Sequence, residues 1–134
     1  MMSDINVKPI VTLLILDDDQ QFASSLADSL AVAINANCHC ESDPEQAMRV
    51  IDNQKIDLLI IDIHLGDRNA LTLLNELSTY PDTLVLPKII LSSSGSQLSI
   101  DDLGSYGVAA IYDKRIYDLA DLAHKIQELT DSGN

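Results

Sequence analysis

Asp57-Leu58-Leu59-Ile60-Ile61-Asp62 is the stretch whose reading decides the fold. Four consecutive large apolar residues make a strand that is apolar on both faces, which is how a strand reads in the interior of a parallel sheet with helices on either side. The run ends on a carboxylate. The turn formers Gly66-Asp67-Arg68-Asn69 follow it, so the strand delivers Asp62 to an open edge of the sheet, where folds of this kind do their chemistry.

Working outward, Val11-Thr12-Leu13-Leu14-Ile15-Leu16 repeats the buried-strand pattern and ends on Asp17-Asp18-Asp19. Asp19 is expected to cap a helix from about Gln20, whose apolar stripe is Phe22, Leu26, Leu30 and Ile34. Cys38 to Ser42 is a shorter strand, and Asp43-Pro44 then opens a helix with a capping acid and a proline in its first turn. Ala47, Val50 and Ile51 supply that helix's buried face.

On the other side of the central strand, a helix is expected from about Ala70 to Leu77, with Leu71, Leu74 and Leu77 inward and Tyr80-Pro81-Asp82 closing it. Pro87 to Ser92 is a further strand, followed by a weak helix from about Gln97 to Leu103 and a turn framed by Gly104 and Gly107. Val108 to Tyr112 is the fifth strand and reaches Asp113-Lys114-Arg115; Leu119, Leu122, Ile126 and Leu129 then mark a last amphipathic helix. Strands alternating with helices imply an α/β fold of five β/α units, a parallel sheet covered on both faces. All the strand ends then lie on one edge, where Asp17, Asp18, Asp62, Ser92 and Lys114 converge.

At 134 residues and 46% hydrophobic content the chain suits one domain, read as 10–130 with 1–9 as an N-terminal extension and 131–134 as a tail or the start of a linker. The net charge of −13, carried by 17 aspartates and 4 glutamates, argues against direct nucleic-acid binding, which needs a basic face. Cys38 and Cys40 fall on the same side of an extended segment, a poor geometry for bridging each other and one that suits a reducing compartment. Alternation sends His39 to the opposite face, which spoils a shared metal site for Cys38-His39-Cys40. With no membrane-length apolar run and no signal-peptide pattern, a soluble, cytoplasmic protein is expected.

Leu14-Ile15-Leu16-Asp17-Asp18, Asp57 to Asp62, Ile89-Ile90-Leu91-Ser92 and Asp113-Lys114 occur in that order on successive strands, with 30 residues from Asp62 to Ser92 and 22 from Ser92 to Lys114. In this the chain resembles the receiver domain of bacterial two-component response regulators over roughly residues 10 to 130. The resemblance implies a flavodoxin-like (βα)5 doubly wound sheet with strand order 2-1-3-4-5. It implies that Asp62 is the phosphoacceptor and that Mg²⁺ is held by Asp17, Asp18 and Asp62 with the backbone carbonyl of His64. Three neighbouring carboxylates repel one another and suit such a hard dication. Lys114 would pair with Asp62 and then with the phosphoryl oxygens, the Ser92 hydroxyl would donate to the phosphate, and Ser92 with Ile111 would be the switch positions.

The partners implied are a histidine kinase or histidine phosphotransfer protein as donor and a downstream effector or fused output domain as target, with neither nucleic acid nor membrane bound directly. A homodimer through the last strand and its flanking helices fits the same pattern. Only Mg²⁺-dependent self-phosphorylation from a donor and slow autodephosphorylation are expected, so the chain is not read as an enzyme.

Five positions depart from the family. Gly66 and Asn69-Ala70 stand where receivers commonly carry a proline and an Asp-Gly pair, Ile111 occupies the usual place of the switch aromatic with Tyr112 beside it on the other face, and Arg115 replaces a proline that follows the lysine in a cis peptide. The Lys114–Arg115 peptide is expected to be trans, since a cis bond before a non-proline costs about 2.5 to 4 kcal/mol. Taken singly, each site residue also has a bland reading: a capping acid, a serine that begins a turn, a solvated lysine, and for His64 an exposed surface side chain. Two other functions compete: a phosphorylation-independent pseudo-receiver that only binds proteins, and a haloacid-dehalogenase-like phosphatase using Asp17 and Asp19 with Ser92 and Lys114 in support. A flavodoxin-type flavin protein is disfavoured because the loop after the first strand is acidic and lacks phosphate-binding hydroxyls and glycines.

Overall fold

A computed structural model of the chain describes residues 10–65, 68–93 and 99–130. Five strands, β1 (Val11–Leu16), β2 (Ala36–Glu41), β3 (Leu58–Ile61), β4 (Lys88–Ser92) and β5 (Val108–Asp113), form one parallel sheet in the order β2-β1-β3-β4-β5. This is the expected flavodoxin-like order. The central strands are buried along their length because consecutive residues feed two different cores. Leu13, Ile15, Leu58, Ile60, Ile89 and Leu91 pack on one face. Leu14, Leu16, Leu59, Ile61 and Ile90 pack on the other.

Helix α1 (Gln20–Ile34) covers the first face through Ala23, Leu26, Leu30 and Ile34, together with α6 (Leu119–Thr130) through Leu122, Ala123 and Ile126. The opposite face is covered by α2 (Pro44–Asn53), α3 (Leu71–Leu77) and the single turn α5 (Ile100–Leu103). The helix starts follow from their caps: Asp19 Oδ1 accepts the Phe22 N–H at 3.0 Å, and Asp43 Oδ1 accepts the Glu45 N–H at 3.0 Å with Pro44 in the first turn.

Several local expectations need correction. In α3 the buried leucines are Leu73, Leu74 and Leu77, while Leu71 is exposed; the leucine-rich stretch admits either face, and packing selects this one. Of the three apolar residues assigned inward on α2, only Ala47 is fully buried. Pro81 does not close a helix but begins a new turn, α4 (Pro81–Leu84), because proline is compatible with the first helical position. The helix before β5 starts at Ile100 with Ser99 as its cap and runs on into a 3-10 turn at Gly104–Tyr106; the residues assigned to it before Ser99 lie outside the described ones. After Asp62 a two-rung antiparallel ladder pairs His64–Leu65 with Arg68–Asn69, where only a turn was expected; Gly66 and Asp67 lie outside the described residues, as do the terminal extensions.

Two devices secure the sheet edge opposite the site. Asp57 and Thr12 bond reciprocally, the Thr12 N–H to Asp57 Oδ2 at 2.8 Å and the Asp57 N–H to the Thr12 carbonyl at 2.8 Å. Lys88 is fully buried, and its Nζ donates to the carbonyls of Thr83 (2.7 Å), Leu86 (2.7 Å) and Leu84 (3.3 Å), satisfying the end of α4. Burial pushes its amine down to about 8. Gly107 turns the chain into β5 with φ +84°, and a β-carbon there would lie 2.5 Å from the Leu84 carbonyl oxygen and 2.9 Å from Lys88 Nζ.

Candidate functional site

At the carboxyl edge of the sheet three strand ends meet. Asp17 follows β1, and its N–H is held by the Glu41 carbonyl of β2 at 3.0 Å; Asp62 follows β3, and its N–H is held by the Leu16 carbonyl of β1 at 2.9 Å. Both acids are buried, 3% and 6% exposed, whereas Asp18 is open to solvent. One carboxylate oxygen from each of Asp17, Asp18 and Asp62 lies within 4.8 Å of the others. The expected acid cluster therefore assembles, and its donors are all hard oxygens of the kind that suit Mg²⁺.

Lys114, which follows β5, brings the compensating charge. Its Nζ lies 2.8 Å from Asp17 Oδ2 and 3.2 Å from Asp62 Oδ2. Burial works against the lysine's charge, but its bond to Asp17 and the attraction of both acids outweigh this and raise its pKa. Burial is also the largest influence on Asp17, and it lifts that carboxyl above its ordinary value despite the lysine. Backbone donors hold the acids as well: Asp17 Oδ1, which also accepts from Lys114 Nζ at 3.1 Å, accepts the Asp19 N–H at 2.8 Å, and Asp62 Oδ1 accepts the His64 N–H at 3.1 Å.

Ser92 is the last residue of β4, fully buried, and its carbonyl accepts the Lys114 N–H at 3.0 Å. The His64 side chain is exposed, in keeping with its reading as a surface group. Ile111 is partly buried on the α2–α3 face, while its neighbour Tyr112 packs on the α1–α6 face. Asp19 is exposed, and its Oδ1 caps α1, as its bland reading expects. Cys38 and Cys40 are free thiols, and burial pushes Cys38 up to about 11.

Sequence reasoning missed the aromatic floor of this site. The Lys114 ammonium stands 4.6 Å from the centre of the Phe22 ring, and Tyr117 meets the same ring edge-on with centroids 6.2 Å apart. In the sequence Phe22 reads as one more residue of the α1 stripe. It missed as well the fork between Arg115 and Asp113: the Arg115 N–H and Nε both donate to Asp113 Oδ1 (2.9 and 3.0 Å), and Nη2 donates to Oδ2 at 2.7 Å. Those bonds from Arg115 hold the Asp113 carboxyl at about 2. No cis peptide occurs among the described residues, so the Lys114–Arg115 bond is trans as expected.

A doubly wound parallel sheet gathers buried acids and a lysine at its carboxyl edge, and comparison with known proteins assigns a family to this arrangement. The model of the response regulator receiver domain matches residues 13–127. The chain belongs to that family, the receiver domains of two-component systems. It is 33% identical over 86 residues to the transcriptional regulatory protein CpxR of Klebsiella pneumoniae, a match covering 64% of this chain and 35% of that protein. The aligned part is thus about a third of the curated relative's length. Among solved structures it is similar to a sensor protein from Polaromonas sp. JS666 (TM-score 0.82, 18% identity, 94% of this chain and 100% of that one). It is also similar to the response regulator TrrA from Thermotoga maritima in complex with Mg²⁺-BeF (TM-score 0.74, 19% identity, 89% and 98%). None of the described helices is long and apolar enough to cross a membrane.

Proposed function

We propose that this receiver domain accepts a phosphoryl group on Asp62 from a phosphohistidine donor, a histidine kinase or histidine phosphotransfer protein. One observation carries the reading: Asp62 is nearly buried, yet it shares Lys114 with Asp17 and lies in a cluster of three carboxylates. Asp17, Asp18 and Asp62, with the backbone carbonyl of His64, would hold Mg²⁺. Bound there, the ion supplies charge neutralisation that lets an anionic donor approach an anionic acceptor.

This chain's own residues do the rest. The His64 N–H fixes one Asp62 oxygen, which orients the carboxylate toward the donor. A carboxylate oxygen of Asp62 forms the new bond to phosphorus as the bond to the donor nitrogen breaks. Lys114, already beside Asp62, balances charge on the phosphoryl oxygens, and the Ser92 hydroxyl donates to one of them. The chemistry is a single transfer followed by slow self-hydrolysis, so the domain acts as a switch and not as a turnover enzyme. The Mg²⁺-BeF complex of the Thermotoga relative supports the reading.

Output would pass through Ser92 and Ile111 to a downstream effector or a fused output domain, with a homodimer through β5 and its flanking helices as one route. The cytoplasm is the matching location, and the charge of −13 leaves direct nucleic-acid contact to another part or another protein.

The test is phosphorylation with a small-molecule phosphodonor and Mg²⁺, followed by mapping of the modified residue. Phosphate on Asp62, absent from Asp62→Asn, is the expected result. Label on Asp17 would replace the reading with a phosphatase-like one, and absence of both label and Mg²⁺-dependent beryllofluoride binding would replace it with a pure interaction module.

A further inference from the structure

In the segment after β5 the geometry is unusually specific. Lys114 lies between two residues that hold each other. Asp113 receives three hydrogen bonds from Arg115, one from its backbone and two from its guanidinium, while the Ile116 N–H closes the same turn on the Asp113 carbonyl at 3.1 Å. A planar guanidinium matched to both carboxylate oxygens, and tied at its own backbone as well, allows one arrangement of the three residues. The lysine between them has its N–H fixed to the Ser92 carbonyl and its ammonium directed to Asp17 and Asp62. Three residues after the lysine, Tyr117 props the Phe22 ring over which that ammonium sits.

We propose that the Asp113–Arg115 fork is a positioning device for Lys114, closing the β5–α6 turn around the lysine where this chain has no proline to stiffen it. The inference rests on the phosphoacceptor reading for its consequence but not for its geometry. Neither residue touches the acid cluster in the described contacts, so both act through the lysine they flank. Arg115 is 63% exposed, and its side chain serves no core. Removing it therefore loosens the turn without unfolding the domain. Asp113→Asn keeps an acceptor for the Arg115 backbone N–H but weakens the charged fork, so its effect is the smaller one.

The experiment compares the full chain with Arg115→Ala, Asp113→Asn, the double variant and Arg115→Lys, all checked for folding by circular dichroism. The first readout is the acylation rate of Lys114 by an amine-reactive ester, followed by mass spectrometry, with buried Lys88 as the internal reference. Arg115→Ala is expected to raise the Lys114 rate by about threefold, the scale of a well-formed exposed ion pair; the double variant adds nothing further, and Arg115→Lys recovers part of the loss. The second readout is ligand affinity by calorimetry. Beryllofluoride binding in saturating Mg²⁺ is expected to weaken by a similar factor while the affinity for Mg²⁺ alone holds or rises, because the lysine that shares Asp17 with the cation, and not the acids, has been set loose.

An unchanged Lys114 rate in folded Arg115→Ala overturns the proposal, and so does an equal loss of Mg²⁺ affinity, which would mean general damage. If the Lys114 rate rises but the unmodified chain binds no beryllofluoride, the fork stands as a positioning device and the phosphoacceptor reading falls.

Discussion

Lys114 Nζ lies closer to Asp17 than to Asp62, at 2.8 against 3.2 Å. At rest the lysine thus neutralises the acid assigned to the metal at least as much as the acid assigned to the phosphate. A cation entering the cluster must share Asp17 with an ammonium already in place.

The first prediction follows directly. Lys114→Met removes the competing positive charge, so Mg²⁺ affinity should rise by about threefold to tenfold, while beryllofluoride affinity in saturating Mg²⁺ should fall by at least as much. Calorimetric titration of each ligand checks both signs. A parallel fall of the two would mean that the lysine is needed to shape the site and not merely to neutralise it.

The aromatic floor gives a second test. Phe22→Leu keeps the apolar volume of the α1 face but removes the ring under the ammonium and the edge contact with Tyr117. A loss of about 1 kcal/mol in urea unfolding is expected, and a double-mutant cycle with Tyr117→Leu should give a coupling of about 0.5 to 1.5 kcal/mol. Additive effects would show that the two rings pack independently.

At the opposite edge, Lys88→Met should destabilise the domain by about 1 to 3 kcal/mol, because the three carbonyls that the ammonium satisfies lose their donor. The pH dependence has a definite sign. Burial lowers the folded-state pKa to about 8 from 10.5, so between these values the unfolded chain binds more protons. Lys88 therefore adds stability as pH rises through that window and adds least below pH 8. Urea midpoints at pH 7.5 and 9.5 should show the difference between the natural chain and Lys88→Met widening with pH; a constant difference counts against it.

Gly107→Ala meets the same packing from the other side. The positive φ disfavours any side chain, and the new methyl would be forced onto the Leu84 carbonyl, a backbone atom with little room to retreat. A loss of more than about 1 kcal/mol in thermal or urea unfolding is expected. Lys88→Met in the same chain should not rescue it, because the carbonyl contact persists.

The fold was legible because each buried strand carries its own signal: the double-sided apolar runs at Val11–Leu16 and Leu58–Ile61 leave few alternatives, and the acids that end them mark the functional edge. Asp19 and Asp43 were legible as caps because a short acid before an apolar-periodic run has few other uses. What could not be read was set by the folded geometry, whether the neighbour is near in the chain or far along it. Lys88 read as the entry to a strand, since nothing local announces the carbonyls of α4 above it. Phe22 read as core, since its second role depends on a lysine 92 residues away. Arg115 read only as a missing proline, because the fork that replaces the ring's stiffness exists only once the turn is made. The ladder at His64–Leu65 is too short to carry any periodicity.

The bond from the Lys114 N–H to the Ser92 carbonyl has a mechanical meaning. It yokes the two groups assigned to grip a phosphoryl oxygen, a hydroxyl on one strand and an ammonium on the next, through a single backbone link at their roots. For the phosphoacceptor function proposed above, this makes the tips of β4 and β5 one coupled unit that includes no aromatic ring.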